Sequence, residues 1–139
     1  VAVVLLLLWL ALEKTKFGLI VRAGARDPTI MRVLGVNISK VWLLVFGVGV
    51  GLAALGGVLA GPMRTVNPEM GSLVLIEAFV VTVIGGLGSL LGSVVAGLLV
   101  GIAISMTALF APELGTIVMF ALMALILLVR PRGLFGKTA

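Results

Sequence analysis

Uncharged apolar runs separated by short polar intervals make up most of this chain. Val41 to Gly61 is 21 residues without a charge. At about 1.5 Å per residue, such a helix is about 31 Å long, close to the hydrocarbon thickness of a bilayer. Leu90 to Phe110 is a second run of the same length, and Thr116 to Val129 predicts another span. Between them, Gly71 to Ile84 is apolar except for Ser72, Glu77 and Thr82. That crossing is short, because about 16 apolar residues reach only about 24 Å. A tilted span, an irregular one and a re-entrant one (the interval 71–87) are all open. Non-helical backbone at such depth must be shielded by protein or line a cavity. The breaks fall at Pro62, at Asn67-Pro68, at Gly85-Gly86-Leu87-Gly88-Ser89 and at Ala111-Pro112-Glu113-Leu114-Gly115. Val1 to Leu12 is an apolar run of 12 residues, shorter than the roughly 20 a span needs. It reads as the tail of a truncated first span. A signal peptide fits poorly, because no basic region precedes the run and Glu13, Lys14 and Lys16 follow where small residues should mark cleavage. The expected fold class is an all-α membrane protein, a polytopic transmembrane helix bundle of about four full spans plus the truncated first one.

Composition agrees with this pattern. The 139 residues are 62% hydrophobic and 11% charged, with a mean hydropathy of +1.39, whereas soluble domains carry about 25% charged residues. There is no Cys and no His, so disulfide, thiolate and imidazole chemistry are excluded. The net charge of +5 raises nucleic acid as a partner, but the bases flank apolar spans, and the positive-inside rule accounts for them better. Eight of the fifteen charges lie between Glu13 and Lys40. With 13–40 inside, four crossings return the tail 130–139 to the same side. Six bases of the interval and three of the tail (Arg130, Arg132, Lys137) then share one face, and only Arg64 lies on the other.

The polar interval predicts a short helix of its own. Asp27 suits an N-cap, Pro28 the first helical position and Gly35 the residue past the C-cap, giving a helix over Pro28 to Leu34. Seven residues are marginal alone in water, so something must hold them. Ile30, Met31, Val33 and Leu34 are apolar, Arg32 lies among them, and Arg22 and Arg26 at spacing four offer a basic face just before. Such an element suits the groove of a soluble partner. Packing on its own helix ends or on lipid headgroups is the alternative. Asn37 or Ser39 then caps the next helix.

Small residues recur at spacing four: Gly49, Ala53, Gly57 and Gly61 in one stripe, and Ser89, Ser93, Gly97, Gly101 and Ser105 in another. Each lies on one helix face and allows close backbone approach. Packing within a bundle is the simpler reading, and a face lining a path or a subunit interface is the sharper one. Glu77 is the one ionisable residue inside a span. It is a candidate for a pathway or an interface pair, with hydration near the outer boundary as the alternative. Arg64 and Glu69 on the outer loop are candidate contacts to a delivering protein or ordinary solvated charges. No catalytic set, metal-ligand set or phosphate loop with Lys-Ser/Thr is present, so neither enzyme chemistry nor a cofactor is expected of this chain.

The sequence resembles the permease subunits of branched-chain amino acid ABC importers and, more broadly, the superfamily that includes ribose-type sugar permeases. The resemblance rests on Thr15-Lys16-Phe17-Gly18, Arg22-Ala23, Asp27 through Leu34-Gly35-Val36-Asn37, Ala53 to Gly61, Val66-Asn67-Pro68 with Gly71, Ala78-Phe79, Ile84 to Ser89, Gly92, Gly97, and the tail Val129 to Gly136. It covers essentially the whole chain and corresponds to the C-terminal half of a family member. It implies that 27–36 is the coupling loop contacting a cytoplasmic ATPase, with Met31 standing where the family usually has Ala. It also implies a second, different permease subunit, a periplasmic or lipid-anchored binding protein, and the bacterial inner membrane with 13–40 and the tail cytoplasmic. A sugar-type permease and a fragment of a secondary transporter are the rivals. The outer turn Asn67-Pro68 and the Arg-Pro-x-Gly tail favour the amino acid branch. A secondary transporter would show more intramembrane ionisable groups than Glu77 alone.

Overall fold

The computed structural model describes residues 1–136, and all its regular elements among them are helical. The chain divides into two compact units, Val1–Val66 and Asn67–Ala139.

The first unit holds α1 (Ala2–Lys14), α2 (Lys16–Arg26), α3 (Pro28–Val33) and α4 (Ile38–Ala60), which a 3-10 turn extends through Met63. The polar interval is therefore mostly helix, where the sequence predicted a loop carrying one short helix. Its additional helix, α2, is amphipathic at helical spacing. Phe17, Ile20, Val21 and Gly24 turn inward, while Lys16, Leu19, Arg22 and Arg26 are exposed. Thr15 starts it, its hydroxyl accepting from the Gly18 amide at 3.3 Å. α4 begins three residues before the predicted apolar run, because the Asn37 side chain caps it by accepting from the Lys40 amide.

The second unit holds α5 (Met70–Gly85), α6 (Leu90–Phe110) and α7 (Gly115–Val129), with a 3-10 turn over Pro112–Leu114 before α7. α5 is an unbroken helix of 16 residues, so the irregular-backbone reading of 71–87 does not hold over those residues. The second unit's core is Val80 and Ile84 on α5, Ala96 and Val100 on α6, and Met119 on α7. The pairs on α5 and α6 are spaced four apart, which sets each on one face. Ile38–Met63, Leu90–Phe110 and Pro112–Val129 are each long and apolar enough to cross a membrane, and Met70–Gly85 is apolar but shorter. Most large apolar side chains on these helices face outward, as expected where the surroundings are lipid tails.

α5 and α6 meet backbone to backbone at two glycines. A Cβ built on Gly92 would overlap the carbonyl oxygen of Gly85, and one built on Gly85 would lie 2.6 Å from the Gly92 carbonyl carbon. The turn joining the two helices places Gly86 at φ +92° and Gly88 at φ +87°. Ser89 then caps α6, its hydroxyl accepting from the Gly92 amide at 3.0 Å.

The tail folds back on this turn. The Leu134 amide donates to the Ile84 carbonyl at 2.8 Å and the Phe135 amide to the Gly85 carbonyl at 3.3 Å. Both carbonyls lie in the last turn of α5, which has no intrahelical partners for them. Gly133, at φ +83°, permits the approach.

Candidate functional site

The element with the clearest built geometry outside the spans is α3. Asp27 caps its first turn, its carboxylate accepting from the Thr29 amide at 3.0 Å and the Ile30 amide at 3.3 Å. Pro28 occupies the first helical position, where no amide is needed. At the other end the Gly35 amide donates to the Arg32 carbonyl and the Val36 amide to the Met31 carbonyl, both at 3.1 Å. With Gly35 at φ +80°, these two bonds are a Schellman motif. The helix ends at Val33, with Leu34 as its C-cap, one residue earlier than predicted. The left-handed Gly35 draws Leu34 out of helical geometry.

The side chains divide by direction. Met31 is only 8% exposed and belongs to the interior of the first unit, as does Ile38. Ile30 is 57% exposed, Leu34 70% and Val33 83%. Arg26 and Arg32 are exposed beside them. Arg22 is turned the other way. Its guanidinium pairs with the Glu13 carboxylate at 2.7 Å and donates to the Leu12 carbonyl at 3.3 Å, so it ties α2 to the end of α1. Of the candidate docking residues, the structure thus brings Ile30, Val33, Leu34, Arg26 and Arg32 to the surface, uses Asp27 and Gly35 as caps, and turns Met31 inward. The sequence did not separate these roles, although the caps mark where the helix starts and which residues flank it.

Gly35→Ala tests the cap. Nothing lies within 4 Å of a Cβ built there, so the change acts through the left-handed backbone alone and should cost about 1–2 kcal/mol. The expected readout is faster hydrogen exchange at the Val36 amide, with unchanged exchange in α6.

The remaining candidates lie elsewhere. Glu77 is half-buried on α5. Arg64 and Glu69 lie between the 3-10 turn at Gly61–Met63 and α5. Gly57 and Gly61 have no atom within 4 Å of a built Cβ, nor does Gly101, while a Cβ built on Gly97 would lie 3.8 Å from the Val81 side chain. Gly97, Gly101 and Ser105 edge a shallow groove of about 310 Å³ with Leu98, Ile102 and Met106.

Residues 1–127 match the family model of the branched-chain amino acid transport system permease component. The chain belongs to this permease family. Among curated members, the high-affinity branched-chain amino acid transport system permease protein LivH of Escherichia coli is 36% identical over 135 residues, covering 96% of this chain and 44% of that protein. BraD of Pseudomonas aeruginosa, a permease of the same description, is 37% identical over 132 residues, covering 94% and 43%. The fructose import permease protein FrcC of Rhizobium meliloti is 32% identical over 103 residues, covering 69% and 29%. The chain therefore spans less than half the length of these relatives. No solved structure matches. The permease family membership places a multi-pass membrane protein behind the three long apolar helices, and it relates α3 to a family of transporters, not of enzymes.

Proposed function

We propose that this chain is part of the membrane permease of an ABC importer for branched-chain amino acids, and that α3 is the element by which it engages a separate cytoplasmic ATPase. The observation that carries the docking role is the doubly capped α3, where Ile30, Val33 and the C-cap Leu34 are exposed, as are Arg26 and Arg32. A soluble helix of six residues with three exposed apolar side chains is not stable on its own account. Held rigid by Asp27 and Gly35, it loses little entropy on binding, and preorganised elements of this kind bind well for their size. Full burial of one such side chain is worth about 1.5–3 kcal/mol.

In this reading the permease does no covalent chemistry. It alternates between outward- and inward-open states, biased by closure of the ATPases, and a binding protein delivers the amino acid on the opposite face. The protein lies in the inner membrane, with the interval 13–40 and the tail on the cytoplasmic side, where the bases collect. A second permease subunit completes the translocation path. The higher identity and coverage of LivH and BraD favour amino acids over the sugars named for FrcC.

Ile30→Asp tests the docking role. It leaves both caps in place and sets a charge at the apolar edge. Co-purification of the ATPase with the detergent-solubilised permease should fall at least about 30-fold, the effect of losing a 2 kcal/mol contact. Equal recovery of ATPase with wild type and variant would overturn the docking role of α3. No ATPase with either would overturn the importer reading and bring a secondary transporter forward.

A further inference from the structure

We propose that the second unit carries a binding site for an anionic phospholipid, built where the tail folds against the ends of α5 and α7. A cavity of about 270 Å³ opens there, lined by Val83, Leu87 and Leu127 on its apolar side and by Arg132 on its polar side. The two arginines of the tail divide their roles. Arg130 donates to the Leu134 carbonyl at 3.4 Å and so helps hold the tail's bend. Arg132 is exposed, and its guanidinium makes no hydrogen bond or ion pair with any described residue.

Charge is one-signed at this end of the unit. Glu69 precedes α5 and Glu113 follows α6, both at the opposite helix ends, and Glu77 lies in the first half of α5. The end of α5 meets the basic tail that continues α7, with no acid among them. An anion is the complementary charge. Val83 and Leu127 stand on the apolar helices α5 and α7 and Leu87 in the turn between α5 and α6, so the apolar side of the cavity runs from the helix ends into the turn, beside the basic tail. A ligand that satisfies both surfaces is an amphiphile with a phosphate head. Basic pockets between membrane helices hold anionic lipid in this way. Gly86 and Gly133 approach so closely that no side chain fits between them, which fixes the stretch of tail that carries Arg132.

The test is native mass spectrometry of the purified protein in an equimolar mixture of phosphatidylglycerol and phosphatidylcholine. Wild type should retain phosphatidylglycerol about fivefold over phosphatidylcholine, the contribution of one interfacial arginine. Arg132→Gln should bring the ratio to about one, and Arg132→Lys should keep most of it. Leu127→Trp, which fills the cavity without touching the charge, should lower adducts of both lipids. A ratio near one in wild type, or a preference unchanged in Arg132→Gln or adducts unchanged in Leu127→Trp, would overturn the proposal. Displacement of phosphatidylglycerol by millimolar glycerol phosphate would also overturn it, by assigning the site to a small anion instead.

Discussion

Gly92→Ala is expected to separate α5 from α6 and to destabilise the second unit by about 3 kcal/mol or more. The added methyl would overlap the Gly85 carbonyl oxygen. A collision with a side chain can be relieved by a rotamer change, but this one is with backbone on both sides. Overpacking of a core costs about 1–3 kcal/mol when side chains can yield, so a backbone obstacle belongs at or above the top of that range. Moving the helices apart also opens the contact of Val80 and Ile84 with Ala96 and Val100. Unfolding in detergent, followed by the loss of helical signal with increasing SDS, reads the effect. Gly101→Ala is the comparison, because its Cβ meets nothing within 4 Å and alanine suits a helix interior better by up to about 1 kcal/mol. Equal midpoints for the two variants would refute the close contact.

Gly133→Ala is expected to release the tail. Two effects add. The residue sits at φ +83°, which costs an L-residue about 1–2 kcal/mol. Its Cβ would also lie 2.6 Å from the Gly86 backbone nitrogen and 2.9 Å from the Val83 carbonyl oxygen. The amides of Leu134 and Phe135 then lose their acceptors on α5, and their hydrogen exchange should accelerate about a hundredfold, as a loss of nearly 3 kcal/mol implies. Gly88→Ala separates the causes. It has the same backbone requirement at φ +87° but open space around its Cβ, so it should show the torsional cost alone. If both variants leave the tail amides as protected as in wild type, the tail is not held by this contact.

Much of this arrangement was legible in the sequence, and the residues show why. Long uncharged runs, 21 residues for α6 and a shorter one for α7, gave α6 its bounds and α7 to within one residue. Asp27, Pro28 and Gly35 gave α3 because capping is local chemistry, decided by neighbours in the chain. What was missed is non-local or weakly patterned. α2 carries its apolar face on few side chains, Phe17, Ile20 and Val21, with the buried glycines Gly18 and Gly24 among them, so it read as loop. The pairing of Arg22 with Glu13 depends on α1 and α2 folding against each other, and spacing along one helix cannot reveal it. The most buried residues of α6 are Gly92, Ala96 and Val100, one position before Ser93, Gly97 and Gly101 of the predicted stripe, which borders them and also reaches α5, a Cβ on Gly97 lying 3.8 Å from the Val81 side chain. Spacing four identifies a face but does not say which of two adjacent faces is the more buried. The tail's return to α5 has no signal beyond its glycines, because it is made by backbone groups that every residue has.

The link between α3 and α4 sets how a push would travel. Only the four residues 34–37 separate them, one locked in the left-handed turn and one serving as the cap of α4, so little slack remains to absorb a displacement. α4 is 23 residues long, a rod of about 35 Å. A stiff rod tipped by 5° at its base swings its far end through about 3 Å. In the docking role proposed for α3, the short capped helix and the long one would act as the handle and arm of a lever, turning a small stroke at α3 into a larger one at the far end of α4.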